Sequence, residues 1–176
     1  MKGERIGIIG PESTGKTTLA RHLAARCGAT WVAEYARGYV EQLGRDYTYD
    51  DVLTIARHQL EELSYPYAGD VIFDTEMIIT KVWLMHKYGS CPAWIDEAIK
   101  AYPMDRYLLL YPDITWKEDP VRENGDIREE LFRRYEDEIR RTRVPYSIVR
   151  ARERALLLEE QPERIGDLLD RLHFDM

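Results

Sequence analysis

Cysteine is nearly missing from this chain: Cys27 and Cys91 are the only two. That excludes a disulfide framework and any zinc spacing built on paired thiolates. Histidine is equally sparse. His22, His58, His86 and His173 are scattered, with no two on one helix at metal-binding spacing, which excludes a histidine metal centre. No apolar run approaches the ~18 residues of a membrane span. Positive charge is in deficit, with 25 Lys and Arg against 32 Asp and Glu and a net charge of −7. A chain of that sign is not a general nucleic-acid or membrane-surface binder. Internal repeats, low-complexity segments and a signal peptide are also lacking, so a reducing cytoplasm and free, half-buried thiols are expected.

What is present is enough apolar material for one packed domain over residues 1–176: 44% of the residues are hydrophobic. The positive charge is uneven. Ten of the nineteen arginines fall between Arg122 and Arg154, which suggests a local anion site.

The strongest signal is Gly10-Pro11-Glu12-Ser13-Thr14-Gly15-Lys16-Thr17, the G-x-x-x-x-G-K-[ST] spacing of a P-loop. An apolar segment, Arg5 to Ile9, precedes it as a strand. Leu19, Ala20, Leu23, Ala24 and Cys27 follow at helical spacing, and Gly28 suits the residue after the helix. The chemistry fits the residue types. Gly10 and Gly15 let successive N–H groups of Glu12, Ser13, Thr14 and their neighbours face one anion. The helix that begins near Lys16, Thr17 and Thr18 adds its positive end. Lys16 reaches β- and γ-phosphates, and the Thr17 hydroxyl is placed for Mg²⁺.

Four further strands are expected: Ala29–Ala33, Asp70–Asp74, Asp105–Tyr111 and Pro145–Val149. Helical patterns separate them, including one started by Thr48, one over Glu76–Tyr88 and one capped by Asp126 with Glu129. A last helical region carries Ile165, Leu168, Leu169 and Leu172. Alternation of this kind implies an α/β, three-layer P-loop fold, with a five-stranded, mainly parallel sheet and a lid over about 113–128. Ligands then bind at the C-terminal strand ends, along a rim holding the P-loop, Glu34, Asp74 and Asp113.

Asp74 ends an apolar strand, where a carboxylate either holds Mg²⁺ or orients a substrate hydroxyl; alternatively it caps the helix that follows. Glu34 ends the second strand and either accepts a proton or pairs with Arg37 at the surface. Arg122 and Arg128 flank the loop-to-helix junction, either as lid arginines or as part of a solvated face, the reading favoured for Arg133, Arg134, Arg140 and Arg141. Tyr35, Tyr39, Trp83 and above all Trp116 are candidates to stack on a ring, although most such aromatics are core.

These residues resemble a known family. The P-loop segment through Ala20, Trp31-Val32-Ala33-Glu34-Tyr35-Ala36-Arg37, Phe73-Asp74-Thr75, Tyr88-Gly89-Ser90-Cys91-Pro92, Pro112-Asp113-Ile114-Thr115-Trp116 and Arg122-Glu123 are similar to the ribosylnicotinamide kinase domain of bacterial NadR proteins. The resemblance covers about residues 4–150. It implies transfer of the ATP γ-phosphate, with Mg²⁺, to the 5′-hydroxyl of nicotinamide riboside. Lys16 and Thr17 would bind phosphate and Mg²⁺, Glu34 or Asp74 would orient or deprotonate the hydroxyl, and Arg122 and Arg128 would belong to the lid. Tyr35, Arg37 and Trp116 join Glu34 and Asp74 as substrate contacts. The partner is a small nucleoside, with oligomeric state open. The sequence departs from the family at Glu76, where Asp or Asn is usual, and at Pro120, where Gly is usual. Other nucleoside or nucleotide kinases and a non-enzymatic switch are the alternatives. Arg37, Arg45 and Arg57 could serve an acceptor phosphate, whereas an Asn-Lys-x-Asp base-reading motif is missing.

Overall fold

The computed structural model describes residues 2–12, 14–113, 127–159 and 164–176. Five strands form one sheet: β1 Arg5–Ile9, β2 Thr30–Val32, β3 Val71–Asp74, β4 Arg106–Leu110 and β5 Tyr146–Val149. Their order is β2-β3-β1-β4-β5, and every neighbouring pair is parallel. All five expected strands are present, β1 with its expected bounds and the other four shorter by one residue at one or both ends.

The strands are short apolar runs because both faces of the sheet are covered. Ile6, Ile8, Ile72, Leu108 and Leu110 pack under α1 (Lys16–Cys27), α7 (Ala151–Glu159) and α8 (Ile165–Leu169). Ile9, Val71, Phe73, Tyr107 and Leu109 turn to the opposite layer. That layer is built from α3 (Tyr49–Ser64), α4 (Met77–Tyr88), α5 (Ala93–Ala101) and α6 (Arg128–Thr142). These are the two helical layers of a three-layer fold.

Local signals set the helix ends. Gly28 closes α1 at φ 66°. Thr48 and Asp51 form a reciprocal capping box at the start of α3. Gly89 ends α4 at φ 70°. The expected Asp126 cap of α6 lies outside the described residues. α7 was not anticipated. Only Leu157 of that helix is buried, so it carries almost no apolar period to read.

From β1 the chain crosses to β2 at one edge, comes back to β3 beside β1, and then passes to β4 and β5 on the other side. The reversal opens a crevice at the carboxyl ends of the central strands, and the P-loop leaves β1 there.

Candidate active site

Register brings the polar residues together. Asp74 pairs with Ile8 in the sheet, one residue before β1 ends at Ile9. Glu34 lies two residues beyond Val32, the last residue of β2. The rim therefore collects three strand ends around the phosphate-binding loop.

Gly10 is the tight point of that loop. A Cβ there would stand 2.9 Å from the Leu110 carbonyl oxygen and 3.2 Å from Thr14 Oγ1. Gly15 adopts the left-handed conformation, φ 81°, at the entry to α1. The buried Thr14 hydroxyl donates to the Pro11 carbonyl at 2.8 Å and braces the curl. Lys16 folds back over the loop, and its Nζ donates to the Gly10 and Pro11 carbonyls at 2.8 and 2.9 Å. Burial pushes the Lys16 ammonium down; the negative charge of Glu34, then Asp74 and Glu12, pulls it back up, and Arg37 opposes them. Glu34, Asp74, Glu12 and Arg37 thus all act electrostatically on Lys16. Thr17 and Thr18 are exposed at the first turn of α1. Ser13, Trp116, Arg122 and the rest of residues 114–126, most of the lid expected over about 113–128, lie outside the described residues.

Asp74 is fully buried, and neither of its carboxylate oxygens completes a hydrogen bond. Burial raises its carboxyl, with Thr17 the first of the groups that counter the rise. It is not the cap of α4. Glu76 takes that role, its Oε1 accepting the Ile78 N–H at 2.9 Å. An orphaned carboxylate beside a hydroxyl is an all-oxygen donor set, which suits a hard divalent cation.

Between these two acids stands Thr75, with φ 71°. That region costs a residue with a Cβ ~1–2 kcal/mol, and a β-branched side chain is a genuine outlier there. The Thr75 hydroxyl is buried and has no hydrogen-bond partner. Its N–H donates to the Ile8 carbonyl at 3.2 Å, which ties the strained turn to the base of the loop.

Glu34 is half-buried at the N-cap of α2 (Tyr35–Gln42), yet its side chain caps nothing. Among the described residues no ion pair joins it to Arg37, so the surface-pair alternative fails. The rest of α2 has no buried residue. It is fastened by side-chain contacts instead. Tyr35 stacks on His58 with centroids 3.6 Å apart. Tyr39 donates to Asp51 Oδ1 at 2.9 Å, and Arg45 grips the same carboxylate at 2.7 and 3.1 Å. One face of Tyr35 is thus already taken by the protein, and Arg45 is engaged by Asp51. Trp83 is not a stacking residue of the rim; it packs edge-on to Tyr47 and donates to its hydroxyl at 3.1 Å.

Two other rim expectations change. Asp113 accepts the Ala151 N–H at 2.7 Å and pairs with Arg154 at 3.4 Å, so it secures the start of α7. Arg128 is buried at the start of α6, unlike a residue of a solvated face. Tyr135 was missed. It reads as one more apolar position of α6, but after burial the Glu12 and Glu34 carboxylates are what raise its phenol. That places α6 against the acidic side of the site. A separate cleft of about 470 Å³ opens between α4, α5 and α6. There Lys81 meets Asp96 and Glu138, both at 2.7 Å, and no residue of the P-loop rim lines it.

Comparison with known proteins agrees with this geometry. A family model described as an AAA domain matches residues 5–154, most of the chain. The chain belongs to the AAA domain family. Similar to it are the trifunctional NAD biosynthesis/regulator proteins NadR of Salmonella typhimurium and Escherichia coli. Each is 28% identical over 127 residues, covering 68% of this chain and 31% of the relative. The chain thus spans about a third of the length of the curated relatives it matches. Among solved structures, a NadR protein in complex with NR superposes with TM-score 0.70 at 26% identity, covering 83% of this chain and 45% of that one. A deoxyadenosine kinase from M. mycoides with bound dCTP covers 86% of this chain and 91% of that one, with TM-score 0.58. At 15% identity that likeness shows the P-loop kinase fold alone.

Proposed function

We propose that this domain is an ATP-dependent nicotinamide riboside kinase acting in NAD biosynthesis. One observation carries the reading. Asp74, at the end of β3, and Glu34, two residues beyond β2, both act electrostatically on the P-loop lysine in a fold that superposes on NadR bound to NR. In this reading the loop amides and Lys16 hold the triphosphate, which places Pγ at the mouth of the crevice. Thr17 and Asp74 would hold Mg²⁺, which when bound neutralises charge on the phosphates. Glu34 is then the base, since its carboxylate is neither a cap nor an ion-pair partner. It takes the proton of the acceptor 5′-hydroxyl as that oxygen bonds to Pγ and the bond from Pγ to the β,γ-bridging oxygen breaks, releasing ADP. The acidic rim of Glu12, Glu34 and Asp74 also favours an acceptor whose ring is cationic. Of the three arginines that could serve an acceptor phosphate, Arg45 is spent on Asp51.

The test is kcat/KM with ATP and Mg²⁺ across nicotinamide riboside, nicotinic acid riboside, uridine, cytidine and thymidine. Nicotinamide riboside is expected to lead uridine, cytidine and thymidine by at least tenfold. Equal values across the panel overturn the assignment.

A further inference from the structure

Thr75 carries two costs at one position. Its backbone sits at φ 71°, where a β-branched residue is strained, and its buried hydroxyl has no partner. Glycine at this position would relieve both. The cost falls one residue after Asp74, whose two oxygens are also buried and unpartnered. The turn is fixed at both ends, by the Thr75 N–H on the Ile8 carbonyl and by the Glu76 cap on Ile78. Strain that its surroundings hold in place, with unsatisfied polar groups clustered beside it, marks a site whose missing partners arrive with a ligand.

The chemistry of the Thr75 side chain defines that ligand, since Asp74 is given to the metal in the reading above. A threonine hydroxyl both donates and accepts. It matches a group that is itself donor and acceptor, as a sugar hydroxyl is. We propose that the Thr75 hydroxyl is a substrate-contacting group of the acceptor site, which hydrogen-bonds a ribose hydroxyl beside Asp74. The left-handed turn keeps it there. This inference rests on the nucleoside-kinase reading above and adds a residue to it that the phosphate-binding machinery does not include.

The experiment compares Thr75→Ser, Thr75→Val and Thr75→Gly in the full chain, using the best acceptor of the panel. Thr75→Ser keeps the hydroxyl and is expected to stay within about threefold of the parent in kcat/KM. Thr75→Val keeps the shape and loses the hydroxyl, and should fall by roughly tenfold or more at a Tm no lower than the parent's. Thr75→Gly is expected to melt no lower than the parent while losing activity to a similar extent, with ATP KM held within about twofold. Full activity in Thr75→Val, or a Thr75→Gly that melts lower and is otherwise kinetically normal, makes Thr75 a structural residue and overturns the proposal. A parent that phosphorylates another nucleoside in place of nicotinamide riboside overturns only the substrate assignment, and the three variants then decide the Thr75 contact with that nucleoside. A parent inert toward every nucleoside overturns both.

Discussion

Replacing Glu76 with glutamine separates two effects that one carboxyl group combines. Oε1 of Glu76 accepts the Ile78 N–H at 2.9 Å and closes the start of α4. Glutamine keeps that acceptor and cannot ionise. Glu76 is 3% exposed, and burial lifts its carboxyl from 4.5 to about 7, against the pull of the Ile78 and Met77 amides and Arg5. Between these two values the folded protein retains a proton that the unfolded chain has released. The folded state binds more protons there, so stability falls as pH rises through the window. At ~1.4 kcal/mol per pH unit, ionised Glu76 costs the fold ~3 kcal/mol above neutrality. Part of that cost is already felt at pH 5, because the unfolded carboxyl is then mostly ionised. Between pH 5 and pH 8 the variant should therefore gain ~2–3 kcal/mol on its parent, with any constant packing penalty of the amide cancelling. Urea unfolding of both proteins at the two pH values measures the gap. A gap that stays the same, or one that shrinks at pH 8, refutes the claim that desolvation outweighs the helix-end amides at this site.

Other expectations follow from the phosphate loop and from the fastening of α2. Lys16→Ala should reduce phosphoryl transfer at least a thousandfold, with an unchanged far-ultraviolet circular dichroism spectrum; undiminished turnover removes the P-loop from the chemistry. Asp51→Asn should loosen α2, raising the acceptor KM several-fold while ATP KM is unmoved, as read from steady-state kinetics. The Asp51 carboxyl is held well below its ordinary 3.8 by Arg45 first and the Thr48 amide next. Its contribution is therefore present above pH 3.8 and fades as pH falls toward the depressed folded value, so the variant should lose less stability in acid than its parent.

Much of the scaffold could be read from residue order alone. Strands covered on both faces are short apolar runs, and β1, β3 and β4 satisfy that rule without interruption. Asp74 stood out because an acid closing such a run needs a reason. Glu34 stood out less, since the end of an exposed edge strand gives no burial signal. What escaped had a physical cause in each case. Tyr135 lies at a core-facing helical position, and spacing does not say where a phenol ends. Glu76 displaced Asp74 as the cap because the chain makes an extra left-handed turn at Thr75, a conformation that threonine does not advertise. Trp83 and Tyr39 looked like ring-stacking candidates, and their partners, Tyr47 and Asp51, come from segments whose proximity only the fold creates. Asp113 reached the rim as expected and was then claimed by α7, the one helix with no legible pattern.

α2 is mounted on the domain from outside. α2 contributes nothing to either hydrophobic layer, and is held by a ring stack and a buried carboxylate that α3 presents. Residues along it can be exchanged without reopening the interior of the domain. Under the nucleoside-kinase reading proposed above, selectivity for the acceptor and endurance of the fold would be assigned to different parts of the molecule, so changes in one can accumulate while the other is left intact.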